Sequence, residues 1–121
     1  MTREIVAAWV AAYRRAWESN APADIAAAFS EDASYYPSPA DPPWVGIGAI
    51  VAGWWEHQDP SGSTSFEWSL VAVDEDTAVI RGVSTYAATV YDNLWIVIFG
   101  ADGRALEFTE FWVDRSAPTW A

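Results

Sequence analysis

Cysteine is absent from this chain of 121 residues, and so is lysine. Without Cys there is no disulfide framework, no thiolate nucleophile and no Cys-ligated metal site. Without Lys the fixed cations are six Arg against 17 Asp and Glu, for a formal charge of −11. That balance lacks the cationic footprint that nucleic acid requires, and it opposes binding to anionic membrane surfaces. One His, His57, rules out a His-rich metal site, and the carboxylates show no ligand spacing, so neither metal nor cofactor is expected. No apolar run is long enough to span a membrane. The opening stretch MTREIVAAWVAAYRRAW carries Arg3, Glu4, Arg14 and Arg15 and lacks the uninterrupted apolar centre of a signal peptide, which makes a cytoplasmic location the expectation.

What is abundant is apolar and aromatic. Hydrophobic residues make up 52% of the chain, which excludes a disordered tail, and the length suits one domain, residues 1–121. Nine Trp and five Tyr are more than a core of this size needs. Some are expected to line a cavity, and the rest to serve as core and dimer contacts.

Residues 2–19 read as an amphipathic helix opened by Thr2, with Ile5, Trp9, Ala12, Tyr13 and Ala16 on one stripe. Pro22 introduces a short second helix over 24–29, with Ile25, Ala28 and Phe29 inward. A short strand over 33–36 follows. Pro37, Pro39, Pro42 and Pro43 then impose an extended loop that holds Trp44. Gly46 and Gly48 lead into a third helix ending near His57, with Ile47, Ile50, Val51 and Trp54 on its stripe. The run QDPSGSTS, 58–65, is a linker. Beyond Phe66 the period changes from about 3.6 to 2. Strands are predicted over 66–73 and 77–88, followed by a break near Tyr91 and Asp92. Residues 93–113, NLWIVIFGADGRALEFTEFWV, form a hairpin around Asp102-Gly103. Residues 114–121 are a tail anchored by Trp120. Three helices followed by antiparallel strands give an α+β class, with the helices laid on one face of a curved sheet.

The hairpin fixes which side chains share a face. Trp95, Val97 and Phe99 form one set, and Phe108, Glu110 and Trp112 another. Glu110 thus stands among aromatics, where an ionised carboxylate is costly unless paired, hydrogen-bonded or protonated. One reading makes it a general acid or base for a carbonyl substrate. The other makes it a structural carboxylate bonded to Trp indoles, Tyr13 or Arg81. Arg81, in an otherwise apolar strand, is expected to face inward and pair with Glu110. Tyr13 either donates its phenol to a ligand carbonyl or is a helix core residue. His57 is read as an exposed helix-end residue before it is read as catalytic.

The runs VAAYRRAWESN, IAAAFSEDASYYPSP, WVGIGAIVAGWW and the C-terminal hairpin, in that order and spacing, resemble the nuclear transport factor 2-like superfamily and its SnoaL-like branch. The resemblance implies a cone, in which a strongly bent antiparallel sheet is closed by three N-terminal helices around an internal pocket, and commonly a homodimer through the outer sheet face. The superfamily includes ketosteroid isomerases, polyketide cyclases, scytalone dehydratases, limonene epoxide hydrolases and members without catalysis. Tyr13 matches the helix-one Tyr of the isomerases, whereas their proton-shuttling Asp falls near Pro37 and their second acid near Trp95. The Asp-Arg-Asp set of the epoxide hydrolases finds only Arg81 and Glu110. The single late acid of the cyclases is similar in type and place to Glu110.

Together these readings predict a pocket for a small apolar, cyclic or aromatic ligand. Glu110 and Tyr13 are its chemical groups, and Trp17, Tyr35, Trp54, Trp95, Phe108, Trp112 and Arg81 contact the ligand. Cofactor-free isomerase, cyclase or hydrolase chemistry is one outcome. A non-catalytic ligand-binding or dimerisation module, or an association domain whose cavity is filled with rings, is the alternative. Leu94, Ile96 and Ile98 leave the opposite face of their strand nearly as apolar as the pocket face, which predicts a homodimer.

Overall fold

Thr2 opens the first helix, α1 (Arg3–Ser19), by accepting the Ile5 backbone N–H at 3.3 Å, and Asn20 closes it in the left-handed region with φ 55. In this computed structural model, which describes residues 1–57 and 64–116, the buried residues of α1 are Val6, Trp9, Val10, Tyr13 and Ala16. The stripe is therefore rotated from the expected one. Trp9, Tyr13 and Ala16 are shared, but Val6 and Val10 flank them on the packed side while Ile5 is 41% exposed. Pro22 is the first residue of α2 (Pro22–Ala28), where a missing N–H costs nothing. Phe29 is already extended and starts β1 (Phe29–Tyr36), so this strand begins earlier than the alternation around Ala33 suggests.

The proline loop, expected to stay extended through Trp44, ends instead in a short strand. Pro42 and Pro43 lack donors, but Trp44 and Val45 have them, and β2 (Trp44–Val45) pairs with Tyr35 and Ser34. Gly46, at φ 86, makes the turn into α3 (Ile47–Glu56) while its N–H bonds the Ala33 carbonyl at 2.8 Å. Ile50 and Trp54 are buried on α3, and Ile47 and Val51 pack at the edge of the core.

The other strands are β3 (Ser65–Asp74), β4 (Thr77–Thr85), β5 (Val90–Phe99) and β6 (Ala105–Asp114). Their order in the curved, unclosed sheet is β2-β1-β6-β5-β4-β3. Every neighbouring pair is antiparallel except β1 with β6, which is parallel, a departure from the wholly antiparallel sheet expected. β2, α3 and the β3–β5 meander lie between these two strands in sequence, and a connection of that length permits parallel pairing. The β4–β5 turn is tighter than predicted: Tyr86 N–H bonds the Thr89 carbonyl at 2.8 Å, so β5 runs straight through Tyr91 and Asp92. Around Asp102-Gly103 the connection spans Gly100 to Arg104, with Gly103 at φ 82 and a register shift between Ile98 and Phe99. Most of the predicted 58–65 linker and the Trp120 anchor lie outside the described residues.

The core forms between α1 and the inner sheet face. Trp9 meets Phe29, Trp95, Phe99 and Phe108 with ring centroids 5.7–6.2 Å apart, three of these pairs edge-on. Such pairs add about 0.5–1.5 kcal/mol each beyond the area they bury. Phe66 stacks on Trp95 at 4.8 Å and covers Gly82, whose missing side chain leaves it room.

Candidate functional site

Strand register brings the site together. Ile80 lies opposite Trp95, and Trp95 opposite Glu110; one pair along, Gly82 lies opposite Asn93, and Asn93 opposite Trp112. Because alternate residues share a face, Asn93, Trp95, Glu110 and Trp112 all point to the helix side. Tyr35 joins them through the parallel pairing of β1 with Phe108 on β6.

Above this surface is an open cavity of about 960 Å³. Glu110 lines it and is partly buried. The Trp95 indole N–H donates to Glu110 Oε2 at 2.7 Å, and the Asn93 amide donates to the same oxygen at 3.4 Å. Asn93 is itself oriented by Ser84, whose buried hydroxyl donates to Asn93 Oδ1 at 2.7 Å and thereby turns the amide nitrogen toward Glu110. Desolvation raises the Glu110 pKa to about 8, against the opposing effect of the Asn93 and Trp95 donors. With two donors on Oε2, the proton of the neutral acid belongs on Oε1.

Tyr13 and Tyr35 supply a second polar group in the wall, their hydroxyls 2.9 Å apart. Both pKa values are raised, chiefly by burial and further by the nearby Glu110, so both phenols stay neutral. One O–H is used between them, which leaves one to donate elsewhere. A stack of three near-parallel rings continues from Tyr35 to Trp44 at 4.8 Å and from Trp44 to His57 at 6.0 Å. Trp44 can lie in this wall because its ring rests on Gly53, which has no side chain to displace it.

Trp17, Tyr35, Trp54 and Trp112 also line the cavity, though Trp112 is 54% exposed and stands at its rim. Trp95 and Phe108 are fully buried behind the lining: Trp95 acts on the cavity through its indole N–H, and Phe108 supports Tyr35 at 4.7 Å. Arg81 is the correction. It is exposed and pairs across the sheet with Leu94, on the face opposite Glu110, so it neither reaches the acid nor lines the cavity. The alternation of β4, with Ala78, Ile80 and Ser84 buried, forces the intervening Arg81 outward. The residues missed were Asn93 and Ser84. Each is a polar residue at an inward position of a strand, a signal present in the alternation.

A family model described as the SnoaL-like domain matches residues 10–115. No curated protein matches the chain. Among solved structures, an NTF-2 like protein of unknown function from Burkholderia xenovorans LB400 superimposes with TM-score 0.72 at 17% identity, over 97% of this chain and 90% of that one. A SnoaL-like protein of unknown function from Burkholderia thailandensis E264 gives TM-score 0.72 at 17% identity, over 93% and 98%. A steroid delta-isomerase from Pseudomonas aeruginosa gives 0.64 at 14%, over 93% and 82%. At such identities these likenesses establish the fold and leave the chemistry to the residues. With the six-stranded sheet and three helices of its described residues and the match over residues 10–115, the chain belongs to the SnoaL-like domain family.

Proposed function

We propose that the cavity binds a small ring compound bearing a carbonyl, and that Glu110 moves a proton on it without a cofactor. The observation that carries this reading is Glu110 itself, a carboxyl on the cavity lining with both donors gathered on Oε2 and a pKa near working pH. The other oxygen is left to take a proton from the carbon beside the carbonyl and return it elsewhere. The enolate oxygen formed meanwhile accepts a hydrogen bond from the Tyr13–Tyr35 pair. A steroid delta-isomerase shares the fold, but Pro37 and Trp95 stand where the isomerase acids would fall, so the proton-moving group on this reading is a different residue. Solvent deuterium entering cyclic ketones beside the carbonyl, followed by NMR, tests the reading. Glu110→Gln should reduce exchange by at least about 100-fold, the lower end for general acid–base catalysis. Unchanged exchange removes Glu110 from the role.

A binding-only reading has one observation in its favour: the 2.7 Å bond from Trp95 is also what a structural carboxylate would make. Ligand binding without deuterium exchange would decide for it. The outer face of β5, with Leu94, Ile96 and Ile98 half-buried, supports a homodimer through the sheet. Light scattering that gives a monomer at micromolar concentration would refute that. Among the described residues no helix is long and apolar enough to cross a membrane.

A further inference from the structure

Among the described residues Glu110 has donors but no cation. Of the six Arg, Arg104 pairs with Asp102 and Arg115 with Asp92, each at 2.8 Å, and Arg3 lies over the Trp68 ring. Arg81 is on the outer face, and neither Arg14 nor Arg15 lines the cavity. Among the described residues the lining has two acids, Asp41 and Glu110, one basic side chain, His57, and eight Trp or Tyr. A carboxylate removed from water attracts a counter-charge strongly, and aromatic faces attract cations through their quadrupole. The chain's charge of −11 favours cations at the mouth of the cavity and repels anions.

We propose that the ring compound is also a cation, carrying an amine or quaternary ammonium on its flat apolar ring system, and that this charge supplies the counter-charge Glu110 lacks. This rests on reading the cavity as a ligand site and names the class of ligand it takes. Ring carboxylates, phosphates and other anions of the same shape are rejected.

Titration calorimetry with three naphthalenes of one shape tests the proposal: the 2-naphthylmethyl trimethylammonium ion, 2-naphthalenemethanol and 2-naphthoate. The ammonium should bind at least about tenfold more tightly than the alcohol, and the carboxylate should give no heat. Alcohol or carboxylate binding as tightly as the ammonium overturns the proposal while leaving a pocket. Heat from none of the three overturns the pocket reading and the proposal together. In Glu110→Gln the preference for the ammonium should fall to within about threefold.

The wild-type protein provides a test that does not depend on the variant folding. The ammonium charge does not titrate, so any pH dependence belongs to the protein. Among the described residues, the other titratable groups on the cavity lining are Tyr13 of α1, Tyr35 of β1, Asp41, His57, Tyr86 and Tyr91. Ammonium affinity should rise as pH increases through about 8 and then level off, because the cation binds the ionised acid, while alcohol affinity stays flat. The slope should persist in His57→Asn. Flat affinity for the ammonium, or a slope lost with His57, overturns the proposal.

Discussion

On the inner face of the β5–β6 ribbon, Glu110 lies opposite Trp95; one residue along, on the outer face, Leu94 lies opposite Phe111. The inner pair puts a carboxyl into apolar surroundings and satisfies it with indole and amide donors, but gives it no counter-charge. The outer pair leaves apolar side chains half in water with no cover. Each face is incomplete in a different sense. On the proposed reading the inner face takes its charge from a small molecule and the outer face its apolar cover from a second subunit.

Trp95→Ala separates the two faces most, because it leaves a cavity in the core and takes the 2.7 Å donor from Glu110. It should cost about 3–5 kcal/mol in urea unfolding, against about 1 kcal/mol or less for Leu94→Ala on the monomer. Comparable losses would mean that the two faces are equally buried. The pH dependence is next. Glu110 has a folded-state pKa near 8 and an ordinary value near 4.5 when unfolded, so the folded state holds the extra proton between them. Stability from this group is therefore full below about pH 4.5, falls as pH rises toward 8, and is constant above, a loss of about 3–5 kcal/mol by linkage. Glu110→Gln should flatten that part of the profile; an unchanged slope would place the titration elsewhere.

Smaller effects sharpen the inner face. Ser84→Ala leaves Asn93 Oδ1 without its donor and should cost about 1–2 kcal/mol. Asn93→Ala, by removing a donor from the carboxylate, should raise the Glu110 pKa further, measurable by carboxyl carbon NMR. The smallest is Arg81→Ala. On an exposed outer position it should change stability by about 0.5 kcal/mol or less and leave the Glu110 titration unmoved. A moved titration would return Arg81 to the acid.

The legible parts were those fixed by period. Thr2 as a cap, the stripe through Trp9 and Tyr13, and the inward set of Trp95 and Glu110 all follow from side-chain spacing within one element. What spacing omits is depth and partners across elements. Trp112 has the right parity but lies at the rim, and Phe108 has the right parity but lies behind the wall. The Ser84–Asn93 contact joins two strands whose register the sequence alone does not supply. Arg81 was misplaced for another reason: an expected charge pair was preferred over the strand's own alternation. The resemblance supplied the cone, yet the β1–β6 parallel pairing had to be seen.

That parallel pairing also bears on the order in which the molecule assembles. β1 borders β6 with Phe29 opposite Ala105, so β1 has no long neighbour until β2, α3 and the β3–β5 meander between them have been made. The contact is among the most non-local in the fold, and closing so long a loop is slow. Glu110 and its donors Asn93 and Trp95 share the local β5–β6 hairpin, so the donors are expected to meet the acid before the β1 seam brings Tyr35 alongside Phe108.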